Sequence, residues 1–136
     1  MGIGTDLVEI GRFRAALERR VGLASRMFSP EEQRYAATFA DPAPRLAARF
    51  AAKEAVMKAL GVGLGAFGLH DVEVVRAESG APAVALHGRA ADLANERGVR
   101  GWQLSLSHSE SMAIAVAVAV GDPEVAMPAD ERVVQA

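Results

Sequence analysis

Three charged side chains, Lys53, Glu54 and Lys58, interrupt the otherwise apolar, alanine-rich run that follows Arg49 and ends at Gly61. Glu54 and Lys58 are four apart and so neighbours on one helix face, an arrangement that serves either an exposed salt bridge or a site. A second carboxylate, Asp6, follows two glycines in Gly2-Ile-Gly-Thr-Asp6. Glycine in a strand admits close approach of another backbone or a ligand, and an acid beside it needs a partner, although a turn-forming Asp is the plainer reading. Behind Lys58, Gly61 to Gly68 holds four glycines in eight residues. Such a loop lets amides approach a phosphate, or merely ends a helix. His108, in Ser105-Leu-Ser-His108-Ser, is either a hydrogen-bonded structural residue or part of a pocket. The serines beside it do not make a hydrolase, since no nucleophile-elbow sequence is present. Taken jointly, two carboxylates suit Mg²⁺ completed by water and substrate oxygens, and the lysines supply point charges for phosphate.

The elements that must carry these residues follow from periodicity. Residues 2–10 alternate as a strand, with Ile3, Thr5 and Leu7 on one face and Gly2, Gly4, Asp6 and Val8 on the other. Residues 11–20 predict a short amphipathic helix with Phe13 and Leu17 inward. Its Arg12, Arg14, Arg19 and Arg20 form a basic cluster, read as a solvated face or as a dock for an acidic macromolecule. Ser29-Pro30-Glu31-Glu32 is a capping box that opens a helix to about Phe39. The run 45–60 predicts a long central helix closed by Gly61, with Leu46, Phe50, Met57 and Leu60 on one side and Lys53 as the polar break in that stripe. Strands are expected at 71–77, 83–87, 102–108 and 112–120, the last buried on both faces, and a helix at 89–97. The fold class is therefore α+β, a mainly antiparallel sheet packed with a long central helix.

A chain of 136 residues with 51% hydrophobic content suits one domain, residues 1–120. Residues 121–136 read as an acidic, proline-containing, loosely ordered tail. A formal charge of -2 argues against a nucleic-acid partner. The absence of cysteine removes thiolate chemistry and disulfides and fits a reducing cytoplasm. The N-terminus lacks a signal-peptide layout, and the run Met112 to Val120 is too short to span a membrane.

The segments Gly2 to Ile10, Arg49 to Gly61 with its glycine-rich continuation, and Ser105 to Ser109 together resemble the holo-acyl-carrier-protein synthases, the small 4′-phosphopantetheinyl transferases. The resemblance covers residues 2–120 in the family's order. It implies transfer of 4′-phosphopantetheine from coenzyme A (CoA) to a serine of apo acyl carrier protein, in fatty acid biosynthesis, with Mg²⁺ required and adenosine 3′,5′-bisphosphate released. Carried over by position, Asp6 and Glu54 would hold the metal, and Glu54 or a metal-bound water would act as base, with Lys53 tuning that carboxylate. Lys58 would bind a phosphate oxygen, and Arg49, Lys53 and Gly61 would line the same cleft. His108, Ser109, Gly80 and Pro82 would meet the nucleotide end of CoA across a subunit boundary of a homotrimer. Arg12 and Arg14 would receive the carrier protein. Two rivals share these residues: a metal-dependent hydrolase of CoA or another nucleotide pyrophosphate, and a non-catalytic CoA- or carrier-binding module. A broad-range transferase is disfavoured, because those resemble two such domains fused.

Overall fold

The computed structural model describes residues 2–121. The first strand, β1 (Gly2–Glu9), lies against the long helix α4 (Ala43–Ala59), and its two glycines explain how closely. A Cβ added to Gly4 would overlap the carbonyl oxygen of Ala55, and one added to Gly2 that of Ala59. Helix and strand backbones therefore touch, so the approach expected from the glycines is that of another backbone. The neighbouring strand β5 (Met112–Gly121) continues this packing with Ala113, Ala115, Ala117 and Ala119, and α4 answers with Ala48, Ala51, Ala52 and Ala55, all buried. Small residues on both surfaces bring the layers close, and many dispersion contacts follow.

The third strand of this sheet is β4 (Val99–His108), and the order is β1-β5-β4 with both pairings antiparallel. On its other side, α4 presents Leu46, Val56, Met57 and Leu60 to a second layer. That layer contains α1 (Ile10–Arg19), α2 (Leu23–Met27), α3 (Pro30–Ala37), the hairpin β2 (Val72–Arg76) with β3 (Pro82–Leu86), and α5 (Gly88–Glu96). Phe13 joins it through ring contacts with Phe28 and Phe50 at centroid distances of 6.2 and 5.4 Å. The capping box forms: Ser29 Oγ accepts from the Glu32 amide at 3.1 Å, and Glu32 Oε1 from the Ser29 amide at 2.9 Å. The α+β class, the antiparallel sheet and the long helix are as expected. The five-residue α2 was not, being too short to show a helical period.

One expectation is corrected. The last strand is buried on its alanine face alone, because α4 covers only that side of the sheet. Ile114 and Val120 remain 39% and 42% exposed, beside Ile3 at 70% and Leu7 at 60% on β1. Cross-strand register places Ile3 against Val118 and Leu7 against Ile114, with Thr5 between them against Val116, so β1 and β5 share a largely apolar face. Gly121 closes β5, and the rest of the expected tail, residues 122–136, lies outside the described residues. Among the described residues no helix is long and apolar enough to cross a membrane.

Candidate active site in two halves

Asp6 projects from the inner face of β1, its side chain 18% exposed. Lys58 reaches across from α4: its Nζ donates to Asp6 Oδ1 and to the Thr5 carbonyl, both at 3.0 Å. The lysine thus pairs with a carboxylate distant in sequence, and the Glu54–Lys58 bridge allowed by helical spacing is not the one made. Glu54 is left with a buried Oε1 that has no hydrogen-bond partner. Burial raises its pKa above the usual carboxylate range, the negative charge of Asp6 raises it further, and Lys58 opposes both. Among the described residues no cluster of three or more His, Asp or Glu side chains exists, so this half-site offers two carboxylates. Hard oxygen donors, one of them buried and unpartnered beside a second acid, fit a Mg²⁺-type cation that keeps positions for water and phosphate oxygens.

A cleft of about 180 Å³ lies elsewhere on the same helix, lined by Arg45, Arg49, Arg76 and His108, with Tyr35, Gly80, Pro82 and Leu106 completing its walls. Its cations are held by aromatic faces. The Arg45 guanidinium sits 3.8 Å above the Phe39 ring, while Arg49 and Arg76 lie 4.4 and 4.9 Å from the Tyr35 ring centre. Arg49 is only 5% exposed, and its Nε has no partner. Burial lowers the pKa of Arg49, yet a guanidinium remains charged at neutral pH. The 77–81 turn, closed by hydrogen bonds from the Gly80 amide to Ala77 O and from the Ala77 amide to Ala81 O, is made possible by Gly80 at φ 87°. Three forked guanidiniums in a partly desolvated cleft are donors for phosphate.

The expected site residues thus fall into groups. Asp6, Glu54 and Lys58 come together, as do Arg49, Gly80, Pro82 and His108 within one chain. Lys53 belongs to neither group. Its side chain is fully buried, and its Nζ donates to Glu32 at 2.9 Å and to the carbonyls of Leu69 and Val72. The expectation that it lines the cleft and tunes Glu54 is therefore replaced: adjacent helix residues point about 100° apart, and Lys53 faces the core. Gly61 ends α4 with φ 74°, near the Arg97 guanidinium and outside the cleft lining. Ser109 shapes the β4–β5 turn, its Oγ accepting from the amides of Ser111 and Met112. Arg12 is exposed, while Arg14 is paired with Asp41 and holds that carboxyl below the usual range.

Tyr35, Arg45 and Arg76 were missed by sequence reasoning. Arg45 carried a signal, since it lies one turn before Arg49; Tyr35 and Arg76 come from other elements and carried none.

The two halves lie on different flanks of α4. Glu54 is five residues after Arg49, which turns it about 140° around the helix. Below, Asp6 and Leu106 flank Ala115 in one cross-strand row, two strand spacings or roughly 10 Å apart.

Comparison with known proteins is consistent with this geometry. Residues 2–117 match the 4′-phosphopantetheinyl transferase superfamily. The holo-[acyl-carrier-protein] synthase of Moorella thermoacetica is 49% identical over 105 residues, 77% of this chain and 82% of the relative. That of Desulforudis audaxviator is 48% identical over 125 residues, 91% of this chain and 95% of the relative. Among solved structures, the Helicobacter pylori holo-[acyl-carrier-protein] synthase in complex with coenzyme A superposes with a TM-score of 0.76 at 32% identity, covering 87% of this chain and 99% of that one. The chain belongs to the holo-[acyl-carrier-protein] synthases of this superfamily.

Proposed function

We propose that this protein works in the cytoplasm and supplies fatty acid biosynthesis with holo carrier protein by transferring 4′-phosphopantetheine from CoA to a serine of apo acyl carrier protein. The carrying observation is the buried, unpartnered Oε1 of Glu54 beside Asp6, which itself accepts a hydrogen bond from Lys58. Asp6 and Glu54 would hold Mg²⁺, which when bound offsets negative charge on the pyrophosphate of CoA. Lys58 is placed to take a phosphate oxygen in exchange for Asp6. The serine oxygen bonds to the β-phosphorus, the bond from that phosphorus to the bridging oxygen breaks, and adenosine 3′,5′-bisphosphate leaves. Glu54 accepts the serine proton, a role its raised pKa favours. Arg45, Arg49 and Arg76 hold the phosphorylated nucleotide, with His108 at the cleft wall. The exposed Arg12 on α1, with Arg14 held in place by Asp41, offers positive charge to an acidic carrier.

The protein acts as a homotrimer whose active sites lie between protomers. Two features support that reading: the half-sites occupy different flanks of α4, and the open face of the sheet carries exposed apolar side chains along β1 and β5. One protomer's carboxylates would then face its neighbour's guanidinium cleft.

The test is intact-mass analysis of apo carrier protein incubated with this protein, CoA and Mg²⁺. The expected result is a gain of one phosphopantetheine group, abolished by metal chelation or by Glu54→Ala. Loss of CoA without carrier modification would instead support the pyrophosphate hydrolase reading, and CoA left intact in every arm a binding module.

A further inference from the structure

Glu32 and Lys53 are buried charges that do not line the cleft, yet their hydrogen bonds join three of the elements that build it, α3, α4 and β2. Lys53 Nζ donates to Glu32 Oε1, Leu69 O and Val72 O, which uses all three donors of an ammonium. Glu32 Oε1 also accepts from the Ser29 amide, and its Oε2 accepts from the Val74 amide at 3.1 Å. Helices α3 and α4 therefore both grip the segment 69–74 that leads into β2. Each joined element carries a cleft residue a short step away. Tyr35 follows Glu32 by three residues on α3, Arg49 precedes Lys53 by four on α4, and Arg76 follows Val74 by two at the end of β2.

We propose that the Glu32–Lys53 pair is a positioning device for the anion cleft, fixing the spacing of α3, α4 and β2 so that Arg49 and Arg76 meet the Tyr35 ring. Burial alone does not call for charges here, since well-packed apolar residues of similar volume often serve as well or better. Apolar side chains lack the ability to select one register through backbone partners. The pair does so, and its orientation is fixed: the carbonyls of Leu69 and Val72 need a donor, and the amide of Val74 needs an acceptor. The inference rests on the cleft being where the nucleotide end of CoA binds, as in the proposed function.

The experiment compares CoA binding by calorimetry, melting temperature and steady-state kinetics in wild type, Lys53→Met/Glu32→Gln and Leu93→Ala. The last truncates a buried residue of α5 outside the cleft and serves as a control for general destabilisation. The paired variant is expected to bind CoA weaker by on the order of tenfold or more, with KM for CoA rising by more than kcat falls, because misplaced binding groups act through geometry. Leu93→Ala is expected to melt lower yet keep wild-type affinity. If the paired variant does not fold, Glu32→Gln alone, which keeps an acceptor for the Val74 amide, is read the same way. Wild-type CoA affinity in the folded variant would overturn the inference while leaving the proposed function intact. Equal losses of affinity in the variant and in Leu93→Ala would reduce the pair to a merely structural role. Wild-type protein that bound no CoA would overturn both.

Discussion

Glu54 is held in a state that an exposed helix residue never meets. Burial and the Asp6 charge raise its pKa, so the folded chain binds that proton more tightly than the unfolded chain does. Stability contributed by this group is therefore greatest at low pH and falls as pH rises from the ordinary glutamate range through the raised folded value. At neutral pH without divalent cation, the ionised carboxylate is a net strain on the fold. Glu54→Gln removes that strain. The variant is expected to melt higher than wild type at pH 7 in chelator, the difference vanishing below about pH 4, where the carboxyl is protonated in both states. Added Mg²⁺ should raise the melting temperature of wild type alone, and transfer by the variant should fall by on the order of 100-fold. A variant that melted lower at pH 7 in chelator would refute this account. The grouping of Asp6, Glu54 and Lys58 was legible: two acids and a lysine stand out in strand and helix contexts that do not need them. The pairing was not, because helical spacing offers Lys58 only Glu54, whereas the fold supplies Asp6 from β1.

Among the elements, the contact of β1 with α4 does most to set the site. Gly2 and Gly4 leave no room for a methyl group, so Asp6, two residues beyond Gly4, is placed by backbone against backbone. Gly4→Ala must push the strand away from Ala55. Overpacking of this kind typically destabilises by about 1–3 kcal/mol, and the shift also separates Asp6 from Glu54. Activity measured where the variant is still fully folded should therefore fall, and activity unchanged there would contradict the placement. Gly11→Ala is the matching control. Nothing lies within 4 Å of a Cβ at that position of α1, so the substitution is expected to be neutral or to stabilise by up to about 1 kcal/mol, read as a melting temperature. The alternation of β1 was legible because the two glycines and Asp6 share one face. The one-sided burial of β5 was hidden, since alanine and valine both count as apolar and a continuous apolar run does not say which face a helix will cover. Lys53 carried a usable signal, as the polar break in an apolar stripe, but its adjacency to Glu54 drew it into the site.

At the scale of the molecule, the described residues leave a sheet face with exposed Ile3, Leu7, Ile114 and Val120. Contiguous apolar surface of this kind is costly in water and usual at contacts between copies. Leu7→Lys alters a side chain that is 60% exposed in the single chain, so the protomer should fold normally. Sedimentation at micromolar concentration is then expected to show a monomer for the variant and a trimer for wild type, with the variant's transfer lost at the same time. A monomer of full activity would refute the shared site. The finer test mixes two inactive proteins. Glu54→Gln spoils the carboxylate half and Arg49→Gln the guanidinium half, and the two lie about 140° apart around one helix. If each site draws one half from each of two neighbours, mixed oligomers formed by co-expression contain some sites with both halves intact. At equal amounts each half is intact with even odds, so activity should return to about a quarter of wild type in a symmetric assembly. If both halves belonged to one chain, every site would keep a defect and mixing would restore nothing.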